Sequence, residues 1–397
     1  MKKLTLVAFL TLLSLHLAAE TPVPPKASKV DHAYVDGSPK VSCAALSDII
    51  AVHVINLKGL LGGTPESGVK QLRLFINSLE IADSSPIGWS INGDDGVVKF
   101  LLQRTQANNK TWNILLGYPE FGKEFFDLPV SVSTGVSGNS PIPTDVDNDK
   151  KFSFVRIDPT WFAGCMAVLV VYFWVLFRYA KKTPMLRDSP ADLTPLGIPG
   201  LTAGNAPFSL GKVQMAFWFS IILASFIFIW LITDDYDLIN SGTLVLIGIG
   251  AGTGLGAVSI NNNKDEATIK KIQALQAQQS DLKQATAQLT AMLPAAGIAE
   301  KIMYNQSVDS QLTANINELI DSVRVKKDKF INDILTDANG ISFHRLQMVA
   351  FTLVLGAVFI YTVWAELSMP DFPATLLTMQ GITAGTYLGF KIPEKQG

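Results

Sequence analysis

The chain has 397 residues, 48% of them hydrophobic and only 17% charged, with a mean hydropathy of +0.28. That balance is too apolar for a typical soluble globular protein. A formal net charge of −2 and a pI near 6.1 leave no basic footprint for nucleic acid.

Residues 1–19 combine Met1-Lys2-Lys3, an apolar run and the small pair Ala18-Ala19, the parts of a secretory signal cleaved after Ala19. No cysteine follows the run, which rules out a lipoprotein signal. The two cysteines, Cys43 and Cys165, fall in a polar segment and an apolar one, so the reading pairs them in no disulfide.

Residues 20–158 form an exported domain in this reading. Asp48–Asn56, Gln71–Ile76, Val97–Leu102, Leu128–Ser133 and Phe152–Arg156 are short β-prone runs. Gly62-Gly63, Asn92–Gly96 and Gly138–Asp149 supply turn signals between them, and Asn109–Leu116 supplies one helical turn. The pattern predicts a β-sandwich of immunoglobulin-like outline, without the Cys…Trp…Cys spacing of antibody domains. His53 falls within a strand with no second histidine, cysteine or carboxylate at ligand spacing, so neither a metal nor any other cofactor is expected.

Five apolar segments follow, at 160–178, 213–232, 239–260, 346–367 and 374–390. All but the last approach the ~20 residues that a bilayer requires, and the last fits an upright helix or a thin bilayer. Arg178, Lys181, Lys182, Arg187 and Lys212 flank the linker 179–207, and Lys391 and Lys395 follow the last segment. The turns 233–238 and 368–373 carry no lysine or arginine. The positive-inside rule then places the linker, the insert 261–340 and the tail 394–397 in the cytoplasm of a bacterial inner membrane, with residues 20–158 outside.

The strongest feature is internal. Residues 208–260 align with 341–393 at a fixed offset of 133 residues, without a gap. Within Gly248–Gly256 and Gly381–Gly389, seven of nine positions are identical. Fixed-period self-similarity predicts a duplicated unit, here a two-helix transmembrane hairpin. Gly248, Gly252 and Gly256, like Gly381, Gly385 and Gly389, recur every four residues and predict smooth helix faces for close packing, with Thr253 and Thr386 one position away. Their apolar setting, without a following lysine, argues against a phosphate-binding loop.

Gln214 and Gln347 occupy matching positions just after Lys212 and Arg345, and are expected as interfacial polar residues. Asp234, Asp235, Asp237, Glu366 and Asp371 cluster in or beside the outer turns, where a cation mouth would lie if the protein were a pore. The insert carries Leu275, Leu282 and Leu289 at heptad spacing, with polar Gln279 and Thr286 between them. A second series runs through Leu312, Ile316, Leu319, Val323, Phe330 and Ile334. Pro294 and Gly297 separate the two, which predicts a helical hairpin.

No HExxH, GxSxG or paired mid-membrane carboxylates occur, and histidines number four in all. The expected function is therefore a non-enzymatic membrane scaffold or transducer, with a homo-oligomeric ion channel or pore as the alternative. Expected partners are membrane lipid, further copies of the chain, and cytoplasmic and envelope proteins.

Overall fold

The computed structural model describes residues 27–62, 65–119, 122, 124–144, 152–291, 297–324, 327–337 and 340–394. The expected signal with its cleavage after Ala19, and Gly63, Pro294, Lys326, Asn339 and Lys395, lie outside them. The chain divides into two compact units, Met1–Ile157 and Asp158–Gly397.

The first unit is rich in strands, most of them paired antiparallel. β1 (Lys29–Val35), β2 (Cys43–Ala44) and β3 (Ile49–Ile55) precede two short helices, α1 (Leu57–Leu61) and α2 (Pro65–Val69). β4 (Leu72–Ile76), β5 (Leu79–Glu80), β6 (Gly88–Asn92) and β7 (Asp95–Leu101) follow. After α3 (Asn109–Leu116) come β8 (Asp127–Val130), β9 (Val132–Val136) and β10 (Phe152–Val155). The sheets have the orders β1-β3-β7-β6, β5-β4-β9 and β2-β10-β8, and β2–β10 pairs parallel.

Alternation explains the inward faces. Along β7 every second residue is buried, and Val98 and Phe100 join Ile50, Val52 and Val54 of β3 in the core. Trp112 of α3 is 1% exposed and packs against Phe154, with the rings tilted by 42° and their centroids 5.3 Å apart. β1, β2, β5 and β6 extend the strand set beyond the expected one. In β1 the polar pair Asp31-His32 breaks the β-prone run, and a bulge falls at that pair.

The second unit is helical. Its first helix is α4 (Pro159–Ala180), capped by the Asp158 carboxylate, which accepts from the Thr160 and Trp161 amides at 2.7 and 3.2 Å. Trp161, Val170, Trp174 and Phe177 on this helix stay exposed. α5 (Leu210–Thr233) and α6 (Ser241–Ala291) follow, then α7 (Ile298–Val323), α8 (Phe330–Leu335) and a two-stranded ribbon of β11 (Thr336–Asp337) and β12 (Gly340–Ile341). α9 (Phe343–Glu366) and α10 (Ala374–Lys391) end the described chain. Four of these helices, α4, α5, α6 and α9, are long and apolar enough to cross a membrane. The fifth expected span, α10, has 18 residues and is not among the four; Gln380 and four threonines after Thr375 or at it dilute its hydropathy.

The helix bounds keep the 133-residue offset: Leu210–Thr233 falls on Phe343–Glu366, and Ser241 falls on Ala374. Ser209 and Ser342 precede the two long helices in extended conformation. Asp234 and Leu367 end them with left-handed backbone, φ 52° and 47°. Each of these residues returns its amide to the carbonyl four residues back, on Trp230 and Val363. The four helices α5, α6, α9 and α10 share one core around Trp218, Leu246, Phe359 and Phe372, and a second around Leu210, Ala257, Met348 and Tyr387.

One expectation needs correction. The span at 239–260 and the first insert helix are a single uninterrupted 51-residue helix, α6. Asn261-Asn262-Asn263 is polar but contains no glycine or proline, so nothing in the backbone stops the helix there. The second apolar series is not one helix either: α7 ends at Val323 and Ile334 belongs to α8. Along the α6–α7 seam the polar heptad positions find partners: Gln279 donates to Thr313 at 2.7 Å and Asn305 to Thr286 at 3.0 Å. As 279 pairs with 313 and 286 with 305, the arms are antiparallel. Ile272, Ile316 and Ile320 form an apolar layer between the arms.

Candidate functional site

Two polar clusters stand out inside the helical unit. The first lies between α5, α9 and α10. Gln214 Nε2 donates to Thr352 Oγ1 at 3.0 Å, and Gln380 Nε2 donates to the same oxygen at 3.1 Å. The three residues are 2%, 6% and 0% exposed in the order Gln214, Thr352, Gln380. One hydroxyl thus ties three helices in a setting where water does not compete. The Oε1 atoms of both glutamines, and Nε1 of Trp218 one turn along α5, are buried without a partner.

The second cluster sits where the insert meets the bundle. It surrounds a cavity of about 350 Å³ lined in part by Asp188, Lys264, Asp333, Arg345, Lys391 and Glu394. Arg345 Nη2 pairs with Glu394 Oε1 at 2.6 Å, with side-chain exposures of 7% and 13%. Lys264 reaches from α6 to the carbonyls of Lys391 and Glu394. Asp333 of α8 accepts from the Phe208 and Asp328 amides at 3.0 and 2.8 Å. Arg187 donates to the Ala180 and Ala206 carbonyls at 3.0 and 2.6 Å and lies 3.8 Å over the Phe208 ring. Burial pulls the Arg187 guanidinium below its ordinary range, and the nearby Asp333 charge opposes that.

Lys212 and Arg345 occupy one register, 133 residues apart, and do one job. Lys212 Nζ donates to the carbonyls of Pro184 and Arg187, at 3.0 and 2.7 Å. Arg345 Nη1 donates to that of Asp333 at 3.4 Å. Each cation holds the segment that leads into its own hairpin. The arrangement is a latch built of side chains from the linker, α6, α8, α9 and α10. Its charges face one another or carbonyls, while Asp188 Oδ1 and Glu394 Oε2 are buried without a hydrogen-bond partner.

The residues expected from sequence are placed as follows. Gln214 is buried in the first cluster, whereas its counterpart Gln347 is half-buried and lies outside it. A Cβ added at Gly248, Gly252, Gly385 or Gly389 would meet nothing within 4 Å, so those four faces are open in the single chain. Gly256 would meet Leu388 at 2.8 Å and Gly381 only Ile249 at 4.0 Å. The close helix crossing uses other glycines: a Cβ at Gly211 would meet the Thr253 carbonyl at 2.9 Å, and one at Gly250 the Met215 backbone at 3.4 Å. Thr253 is buried and bonds back to the Ile249 carbonyl at 2.6 Å; Thr386 is half-buried.

Asp234, Asp237, Glu366 and Asp371 are exposed and Asp235 is half-buried. The turns 234–240 and 367–373 interlock through Asn240, whose Nδ2 donates to the Met369 and Pro370 carbonyls at 2.9 and 3.1 Å. Thr352, Gln380, Asp333 and Glu394 were missed by sequence reasoning. Thr352 and Gln380 have no polar counterpart in the other repeat, where Phe219 and Ile247 stand, so internal alignment carried no signal for them. No family model, curated protein or solved structure matches the chain.

Proposed function

We propose that the protein is a non-enzymatic membrane transducer that links an exported immunoglobulin-like domain to a helical insert through a duplicated membrane hairpin. In this reading it lies in a bacterial inner membrane, α10 is the fifth span, the insert and C-terminus are cytoplasmic, and further copies and soluble proteins on either side are its partners. One observation carries the proposal. α6 is a single helix from the outer turn, through the bundle core, into the insert, so displacement of the insert has no hinge in which to dissipate. The latch around Arg345 supports it, because the same charges hold linker, insert and both hairpins.

The test uses the reconstituted full-length chain with Cys43 and Cys165 replaced by serine. Closing a disulfide between Gln279→Cys and Thr313→Cys should change amide exchange in the turns 234–240 and 367–373. Three glycines inserted after Asn262 should abolish that response. Turns that ignore the disulfide in both proteins would rule the transducer out.

The alternative, a homo-oligomeric channel, is favoured by the open faces at Gly248, Gly252, Gly385 and Gly389, which leave room for a second copy. It requires cation flux in liposomes that falls when Asp234, Asp235 and Asp237 are neutralised.

A further inference from the structure

His53 has no ligand-spaced neighbour in the sequence, but strand pairing gives it two. In the β1–β3 register Val30 pairs with Val54 and His32 with His53, so one step along β3 spans two along β1 and Asp31 is the extra residue. In a regular strand residues 31 and 32 would face opposite sides. The bulge turns both away from the core side taken by Val30, Val52 and Val54. Asp31, His32 and His53 then converge, with one donor atom of each inside a 4.8 Å sphere of mutual distances.

The two Nδ1 atoms address a single carboxylate oxygen. Asp31 Oδ2 is 2.8 Å from His32 Nδ1 and 3.3 Å from His53 Nδ1. The imidazoles stack at 5.0 Å between centroids, and Tyr34 continues the stack at 5.6 Å from His32. His53 Nδ1 is shielded from solvent yet completes no hydrogen bond there. Donors 2.0–2.2 Å from a tetrahedral ion lie roughly 3.3–3.6 Å from one another. The 3.3 Å spacing meets that range, and the 2.8 Å spacing, a direct hydrogen bond, falls short of it.

We infer that Asp31, His32 and His53 form a binding site for a divalent transition-metal ion, zinc foremost, on the outward face of the β1–β3 pair. Two imidazoles and a carboxylate select a borderline ion over magnesium or calcium, which take oxygen ligands. Three protein ligands leave a fourth position, and the side chains are 29–45% exposed, so water or an external carboxylate can reach it. β1 is the edge strand of its sheet, and the ion would clamp it to β3 across the bulge, where the backbone ladder is interrupted.

The test uses the chelator-stripped full-length protein in detergent, with Co²⁺ as an optical substitute for Zn²⁺. One equivalent of Co²⁺ should give the intense visible bands of a tetrahedral site, and Zn²⁺ should bleach them. Zn²⁺ should also raise the Tm of the wild type. His32→Gln, at the most exposed ligand, should lose both responses while keeping the metal-free Tm, and His53→Gln should behave alike. Asp31→Asn should weaken Zn²⁺ binding at least about tenfold. Of the other two histidines, His16 and His344, the latter lies in the second unit, and His344→Gln should bind as the wild type does. Absence of bands at one equivalent, or equal Co²⁺ uptake by His32→Gln, would overturn the assignment and leave a carboxylate bridging two imidazoles.

Discussion

Thr352 concentrates an unusual amount of consequence in one hydroxyl. Both buried glutamines direct their amides to it, so Thr352→Val, which keeps the shape, strands two donors at once. The variant should lose about 1–2 kcal/mol in detergent unfolding, and Thr352→Ser should recover most of it. A larger effect is expected at Arg345. Its ion pair with Glu394 is nearly sealed from solvent, so Arg345→Met should cost about 3–5 kcal/mol by leaving a carboxylate buried and unpaired. The double variant Arg345→Met/Glu394→Leu should be far closer to wild type, which a double-mutant cycle would read directly. Gln214 and Arg345 were visible in the sequence because each has a counterpart 133 residues away, Gln347 and Lys212. Their partners were not, since a buried hydrogen bond needs a second residue whose place depends on packing.

At the scale of elements, the bounds of α5 and α9 were legible to within three residues, 213–232 and 346–367 against Leu210–Thr233 and Phe343–Glu366. The far end of α6 was not: Asn261-Asn262-Asn263 lowers hydropathy but leaves every backbone amide free to continue the helix. The glycine pattern was legible as spacing but not as direction. Every-fourth glycines mark a smooth face, and the internal crossing falls on Gly211, Gly250 and Gly254, while Gly252 stays open. The two faces make opposite predictions. Gly211→Ala presses a methyl into the Thr253 carbonyl and should cost about 1–3 kcal/mol. Gly252→Leu should leave unfolding of the single chain unchanged and, if copies meet on that face, should convert oligomers to monomers in native mass measurements.

For the whole molecule, topology is the first thing to establish. Lysine and arginine placement predicts that the turns and the insert lie on opposite sides of the membrane. Cysteines at Ser140 and Asp235 should therefore label in intact cells, and one at Gln278 only after permeabilisation. Labelling of Gln278 in intact cells would reverse the arrangement. The four long apolar helices of the second unit were legible from hydropathy alone, because a stretch that crosses a bilayer needs about 20 apolar residues. The strand pairing of the first unit was less so. β1 and β6 carry polar outward faces, and the Asp31–His53 approach exists only once a 22-residue separation in sequence closes into one register.

The α6–α7 seam also sets a rule for how the insert can change in length. A residue removed from α6 alone turns everything beyond it by about 100°, which would swing Leu275 and Leu282 out of the contact. Seven residues restore the phase but shorten that arm by about 10 Å, and α7 must lose the same length to bring Val323 back to its seat against Leu193. The arms can therefore be trimmed only in matched heptads. A chain lacking 276–282 together with 310–316 should fold and keep a helical hairpin, whereas either deletion alone should show exposed apolar surface and rapid proteolysis. Reach, in this protein, is quantised in steps of two helical turns.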